Sequence, residues 1–537
     1  MTATIAAGLT AIQAQESVKK ISVIPEPISV TSHEGEFLLT RASVITLSGK
    51  DLLSTASYFS GYMQTYLGYP LEIHLPVPEE EPIRGEIHLV NAENGETPGG
   101  YQLCVTPEGI TIRGNDASGV FYGVQTLIQL LPTRAGVLPI VPAVAIEDYP
   151  RFPYRGLHLD VVRHYFPVSY IKRYIDFLAW HKLNYFHWHL TDDQGWRVEM
   201  ECRPELTAQG ANREGEIEGL YPGVYKPLPY GGYYTREEVK EVVKYAADRH
   251  VTVVPEIDIP GHCMALLAVY PEFSTTPDEP RQAALTWGIY NKFNNVLAPK
   301  PEVFAFLTEV FSELCDLFPG PYIHVGGDEC ARKWWKESEQ AQAFMKENGL
   351  KDEKALQSYF IHYVQQVLHA KGKTLVGWDE IMEGGVSTEG VVMNWRRPEY
   401  GTKAARAGHP VIVTHSASLY FNLKEARRQQ EVAHRGYVPV EKVYHYPIVP
   451  EELTAEEARR VLGAQACMWT EYFSTPAKVE FGLFPRLAAL AENTWSVPQV
   501  KSWERFVDKM PDQLDRYDLW GIRYSEYFIR TMDIVRQ

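Results

Sequence analysis

The chain has 537 residues, too many for one small core, and its 45% apolar and 22% charged residues are ordinary for a folded soluble protein. A formal net charge of −16, from 52 basic against 68 acidic side chains, disfavours nucleic acid and an anionic membrane as partners and suits a neutral ligand. No run approaches the roughly 20 apolar residues that a spanning helix needs, which argues against membrane insertion.

Residues 1–15 carry a weak apolar run and a small-residue end without a basic start, so residues 1–20 resemble the remnant of a signal peptide and suggest a periplasmic or secreted protein. From 21 to 150 the pattern is that of a small α+β domain. Segments 86–90 and 109–113 alternate as strands, while Val120, Val124, Leu127 and Leu131 recur at helical spacing and predict one apolar helix face. The run Pro150-Arg151-Phe152-Pro153 marks a boundary.

A different rhythm fills residues 151–537. Segment 156–162 reads as a strand, Ile171, Tyr174, Ile175 and Leu178 as a helix face, and 183–190 as the next strand. Val239, Val242, Val243 and Ala246 then make a second helix face ahead of the β-branched strand 251–257. Further strands near 322–328, 374–378, 390–395, 411–415 and 464–469 bring the number to eight. The economical architecture is α/β, a (β/α)8 TIM barrel with a helical C-terminal end, whose chemistry belongs at the C-terminal ends of the strands. There the chain places Asp160 and Arg163, His189 and Asp192, Asp258 and His262, Asp328 and Glu329, Trp378, Trp395, Tyr420, and Trp469 with Glu471. The aromatic stretch 221–234 reads as a long loop over the barrel mouth. Six cysteines without a CxxC pair predict free, mostly buried thiols.

The most informative stretch is His324-Val-Gly-Gly-Asp328-Glu329, an apolar segment that ends in two adjacent carboxylates behind two glycines. Tyr322, His324, Gly326 and Asp328 share one parity and hence one face of a strand. An ordinary retaining glycosidase sets two carboxyl groups roughly 5 Å apart across the scissile bond. Neighbours on one strand point to opposite faces, and both reach a ligand only if the chain turns at the strand end. A division of labour follows, with one carboxyl group donating a proton and the other orienting the reacting partner. An arbitrary Asp-Glu pair is more often a solvated strand end; the acids and aromatics gathered at the other strand ends favour chemistry.

Six segments taken in order carry a resemblance: Arg155-Gly-Leu-His-Leu-Asp-Val-Val-Arg163-His-Tyr, Asn184-Tyr-Phe-His-Trp-His-Leu-Thr-Asp192-Asp, Pro255-Glu-Ile-Asp258-Ile-Pro-Gly-His262, the 324–329 stretch, Gly377-Trp378-Asp-Glu-Ile and Ala466-Cys-Met-Trp469-Thr-Glu471. Together they resemble the motifs of family 20 glycoside hydrolases, the β-N-acetylhexosaminidases, over about residues 21 to 500. The resemblance implies a retaining exo-enzyme that removes terminal β-linked GlcNAc or GalNAc from oligosaccharides or glycoconjugates, with no cofactor and no metal. The substrate's own acetamido carbonyl serves as nucleophile, a known exception to the two-carboxylate scheme.

By the same resemblance, Glu329 is the general acid and later the base, and Asp328 orients the acetamido group and stabilises the oxazolinium. Arg163 holds the hydroxyls at carbons 3 and 4, and Glu471 those at carbons 4 and 6. Trp378, Trp395 and Trp469 wall the sugar, Tyr420 bonds the acetamido carbonyl, Asp258 and His262 form a dyad supporting the acid, and Asp192 lies near that network. Asn422 departs from the family pattern, which has Asp there in many relatives; an amide cannot supply negative charge to a carbon-6 hydroxyl. Two other readings stay open: a metal-dependent barrel hydrolase using His187, His189, Asp192 and Asp258, since histidines two apart on a strand point the same way, and a non-catalytic glycan-binding barrel.

Overall fold

The computed structural model describes residues 21–75, 85–92, 95, 97–134, 137–220, 222–286 and 294–536. The leader expected at 1–20 lies outside them.

The N-terminal unit is a mixed seven-stranded sheet of β1 (Ser29–Leu38), β2 (Val44–Leu47), β3 (Glu72–His74), β4 (Glu86–Asn91), β5 (Tyr101–Val105), β6 (Ile110–Gly114) and β7 (Ile140–Asp148), in the order β1-β7-β5-β6-β4-β2-β3. Two helices, Leu53–Leu67 and Ala117–Leu130, pack on it. The second starts at Asp116, whose carboxylate accepts a hydrogen bond from the Gly119 amide and so satisfies one of the free donors of the first turn. Every residue from Gly119 to Leu130 is buried, so the single apolar face read from the spacing is a correction. The reason is tertiary: the far side of this helix meets the second unit, where the Tyr122 hydroxyl accepts from Arg155 at 3.0 Å and its ring lies 5.0 Å from that of Trp495.

The two units are pinned by the fully buried Asp148 at the end of β7. It accepts from Lys182 Nζ at 3.0 Å, from the Tyr101 hydroxyl at 2.8 Å and from Trp495 Nε1 at 3.0 Å. Three donors on one carboxylate supply the pairing that a charge needs in a dry interior.

The second unit is the expected closed barrel of eight parallel strands: β8 (Tyr154–Asp160), β9 (Tyr185–His189), β10 (Thr252–Glu256), β11 (Tyr322–His324), β12 (Thr374–Trp378), β13 (Val391–Asn394), β14 (Val411–Val413) and β15 (Val461–Met468), with β15 pairing back onto β8. Helices such as Val168–Trp180, Arg236–Ala247, Pro301–Leu317, Glu353–Ala370 and Arg486–Trp495 surround it. The helices Trp503–Leu519 and Tyr527–Arg536 follow as the C-terminal end.

β11 is shorter than its sequence suggests. It stops at His324, because Gly326 (φ 64°) and Gly327 (φ 89°) take left-handed backbone that ends the extended run. The shared parity of Tyr322, His324, Gly326 and Asp328 therefore ends two residues before the glycines. This is the turn that adjacent carboxylates need if both are to face one ligand. Only glycine suits position 326, where a Cβ would lie 1.8 Å from Asp258 Oδ1.

Segment 221–234 is more ordered than a loop: Val224–Lys226 pairs with Glu216–Glu218 and Tyr230–Gly231 with Asn212–Arg213, while Tyr221 lies outside the described residues. All six cysteines are free, with Cys263, Cys315, Cys330 and Cys467 buried and Cys104 and Cys202 exposed. Among the described residues no helix is long and apolar enough to cross a membrane.

Candidate active site

A cavity of about 570 Å³ opens at the C-terminal ends of the barrel strands. Ten of the eleven side chains to which the resemblance assigns a place in the site line it: Arg163, Asp192, Asp258, His262, Asp328, Glu329, Trp395, Tyr420, Trp469 and Glu471.

Its closed end is built from the first two strands. Asp160, buried at the tip of β8, accepts from the amides of Val162 at 2.8 Å, Arg163 at 3.1 Å and Thr470 at 3.1 Å, which fixes the turn that presents Arg163. The Arg163 guanidinium lies 3.3 Å from Asp160 and 2.7 Å from Asp192, and stands over the Trp469 ring at 5.1 Å. Its Nε is left without a partner.

From there a chain of charged contacts runs to the carboxylate pair. Glu256, buried in the barrel interior, meets His189 Nδ1 at 2.5 Å; His189 Nε2 donates to Asp192 at 2.9 Å; the other oxygen of Asp192 accepts from His262 Nδ1 at 3.0 Å. His262 Nε2 faces Glu329 at 3.4 Å and Asp328 at 3.7 Å. Burial alone would favour neutral His189, but Glu256 and Asp192 outweigh it and raise its pKa to about 10, so it stays an imidazolium. His262 is likewise held well above its ordinary value, against its own burial, by Asp192, Asp193 and Glu329.

The partner of His262 is a correction. The sequence suggested Asp258, four residues away on the same loop; instead the turn after β9 brings in Asp192 at 3.0 Å and Asp193 at 3.2 Å. Asp258 belongs to Asp328, close enough for the carboxylates and His262 to lie within 4.8 Å of one another, and it accepts from the Gly327 amide at 3.1 Å. Burial and the charge of Asp328 push Asp258 well above the carboxylate range. Asp328 is raised to about 6, chiefly by burial and by the charges of Glu329 and Glu256, with His262 and a hydrogen bond from Asp258 pulling the other way. Asp258 is thus the more strongly raised of the two, and its hydrogen bond favours the anionic form of Asp328. Glu329 differs: the His262 hydrogen bond holds it below the ordinary range, and its side chain is 46% exposed at the cavity mouth. Both His262 (φ 44°) and Glu329 (φ 43°) sit in left-handed backbone, a strain found at functional turns.

The aromatic wall stacks Trp395 on Tyr420, with centroids 6.2 Å apart and planes at 14°, and sets Tyr420 against Trp469 at 6.2 Å and 53°.

Residues 152–498 match the glycosyl hydrolase family 20 catalytic domain, and residues 20–149 match family 20 domain 2. The chain belongs to glycosyl hydrolase family 20. It is 41% identical over 524 residues to a β-hexosaminidase of Porphyromonas gingivalis, an alignment spanning 96% of this chain and 65% of that protein. To a β-N-acetylhexosaminidase of Cellulomonas fimi it is 31% identical, over 94% of this chain and 96% of that one. Among solved structures it resembles the family 20 β-N-acetylhexosaminidase of Streptomyces coelicolor (TM-score 0.80, 31% identity, 94% of this chain and 97% of that chain). It also resembles the exo-β-N-acetylglucosaminidase of Vibrio harveyi in complex with N-acetylglucosamine (TM-score 0.83, 32% identity, 94% and 78%).

Within this family 20 pocket Trp378 is a correction, for it does not line the cavity. It is buried beneath, 5.9 Å from Trp469, with its indole N–H donating to Glu256 at 2.9 Å, so the need of a buried N–H for an acceptor takes it inward. The residues weighed as a metal set are divided as well. His187 and His189 both turn to Glu256, at 3.0 and 2.5 Å, His189 reaches Asp192 only through its other nitrogen, at 2.9 Å, and Asp258 stands by Asp328. Asn422 is buried at the pocket wall with its Oδ1 unpartnered.

Sequence reasoning missed Glu256, Asp193 and Glu380. Glu380 accepts from Trp395 Nε1 at 3.0 Å, and burial, with the charges of Asp328 and Asp379, raises it to about 8. Its signal is present in Gly377-Trp378-Asp-Glu-Ile, where Glu380 is the second acid after the tryptophan. Also missed was the outer wall of His434, Arg435, Gly436, Tyr437 and Lys442, which no motif or periodicity marks.

Proposed function

We propose that this chain is a retaining exo-β-N-acetylhexosaminidase that removes terminal β-linked GlcNAc or GalNAc with the substrate's acetamido group as nucleophile. The observation that carries the reading is the contrast between two adjacent acids. Asp328 is buried and braced by Asp258, whereas Glu329 stands at the mouth beside His262.

The terminal sugar fills the pocket with its hydroxyls on Arg163 and Glu471 and its faces against Trp395 and Trp469. Covering Glu329 removes water from its carboxylate and favours the protonated acid, with His262 next to it as the proton reservoir. Glu329 then protonates the glycosidic oxygen as the acetamido carbonyl oxygen attacks carbon 1 from the opposite face. Asp328 accepts the acetamido N–H and offsets the positive charge that builds on the five-membered oxazolinium, an interaction strengthened by its dry surroundings. The Tyr420 hydroxyl steadies the carbonyl. Glu329, now a carboxylate, takes a proton from water, which opens the ring at carbon 1, and two inversions give retention.

Proton NMR of the first turnovers of an aryl N-acetyl-β-glucosaminide tests this reading. The β-anomer of N-acetylglucosamine appears first if it holds; initial α-anomer, or no turnover, contradicts it.

A further inference from the structure

The cavity is asymmetric in charge. Asp192, Asp258 and Asp328 lie buried at the closed end, with Glu471 only partly exposed. The exposed lining comes chiefly from one segment, His434–Tyr437 with Lys442, together with Ala417 and Glu329. An exo-acting pocket encloses the terminal sugar, so whatever is attached to that sugar leaves across the exposed lining.

That lining is basic. Among the described residues the Arg435 guanidinium pairs with no carboxylate. Lys442 donates to the Ala417 carbonyl at 2.5 Å, which anchors its charge at the rim without neutralising it. Arg427 stands over the Tyr437 ring at 5.4 Å and adds a third positive charge behind the wall. None of the nearby acids Glu425, Glu431 and Glu441 lines this cavity: Glu425 and Glu441 line a neighbouring cavity that shares Tyr437 with it, and Glu431 accepts from the Tyr527 hydroxyl at 3.0 Å. Glu329 is the only acid among the exposed lining residues described, and in the proposed mechanism it approaches the scissile oxygen as a neutral acid. In a chain of net charge −16, Arg435 and Lys442 thus put two positive charges on the exposed lining, and charges within a Debye length of about 8 Å are the ones a bound sugar meets.

Resting on the exo-hexosaminidase reading above, we propose that Arg435 and Lys442 select aglycones that carry a negative charge, a sulfate ester or a carboxylate, on the sugar next to the scissile bond. Tyr437 offers that sugar a ring face, and the two cations meet its anionic group.

The test compares kcat/KM for N-acetylglucosaminyl-β-galactose, the same disaccharide with 6-O-sulfate on galactose, and N-acetylglucosaminyl-β-glucuronate, with 4-nitrophenyl N-acetyl-β-glucosaminide as reference. At least one anionic disaccharide should exceed the neutral one by about 5- to 30-fold at low salt, and this ratio should shrink in 1 M salt, because the contacts are exposed. A preference confined to the sulfated substrate assigns the site to sulfate; one shared with the glucuronate assigns it to charge alone. The ratio should fall towards one in the Arg435→Gln/Lys442→Gln double variant, survive in Arg435→Lys and invert in Arg435→Glu. A wild-type ratio near one for both anions, or a ratio unchanged in the double variant, overturns the proposal. Failure to cleave even the aryl glycoside overturns the parent reading and this one with it.

Discussion

Asp192 accepts from His262 Nδ1 at 3.0 Å while its other oxygen holds Arg163 at 2.7 Å, so one carboxylate ties the sugar-holding arginine to the histidine that faces the acid. Asp192→Asn keeps the shape and removes the charge that both cations need. We expect kcat/KM to fall by roughly 10²- to 10³-fold, in line with losses when a supporting charge is removed from a catalytic group. Both KM and kcat should change, because binding and proton transfer share the residue. A kcat/KM within a few-fold of wild type would detach Asp192 from the network.

The Asp258–Asp328 pair sets the acid limb of the pH profile. Asp328, raised to about 6, works as an anion, so activity should be lost as pH falls through that value. The hydrogen bond from Asp258 lowers the pKa of Asp328. Asp258→Ala removes the donor, so the pKa of Asp328 rises and the acid limb of kcat/KM moves to higher pH. Asp258→Asn retains an N–H donor and should leave the limb closer to that of wild type. An acid limb that moves to lower pH in Asp258→Ala contradicts this assignment.

Glu329 and Asp328 should fail differently. Glu329→Gln removes proton donation, so natural sugar leaving groups suffer most and activated aryl groups retain more of their first-step rate. Asp328→Asn leaves the acid but removes the charge facing the oxazolinium, which slows the first step for both classes. Pre-steady-state rates over a leaving-group series check this. A flat dependence in Glu329→Gln with a steep one in Asp328→Asn would exchange the two roles.

Stability rests on a different pair. Lys182→Met strands the buried Asp148 carboxylate, leaving only neutral donors, the Tyr101 hydroxyl, the Trp495 indole and the backbone amides of Tyr149 and Ile28. Removing one partner of a buried ion pair costs about 3–5 kcal/mol. Denaturant titration should show that loss as a lower midpoint. A loss below about 1 kcal/mol would show that the neutral donors suffice.

The barrel was legible because short, largely apolar segments, several of them β-branched as at 252–256, 391–394 and 411–413, alternate with helix-period segments eight times. The carboxylate pair was legible for a related reason: two glycines before two acids make sense only as a turn that presents charge. Partnerships across loops were not legible. Nothing in the spacing of Asp192 and His262, 70 residues apart, says that they touch, whereas Asp258 and His262 share a loop and misled the reading. Trp378 looked like a wall because it ends a strand, but its N–H is satisfied by Glu256, whose importance depends on histidines from other strands. The basic outer wall at 434–442 shows no periodicity, since His434–Tyr437 is a four-residue, wholly exposed strand held by its pairing with Leu423–Lys424 rather than by an apolar face of its own.

Substrate-assisted attack is tested most directly with aryl glycosides whose acetamido methyl carries zero, one, two or three fluorines, which changes the nucleophilicity of the carbonyl while nearly preserving shape. We predict that kcat/KM falls with each fluorine, by about 10²-fold or more across the series, equivalent to a barrier increase of roughly 3 kcal/mol. Equal values across all four substrates would mean that the acetamido oxygen does not attack carbon 1, and the mechanism would have to be abandoned.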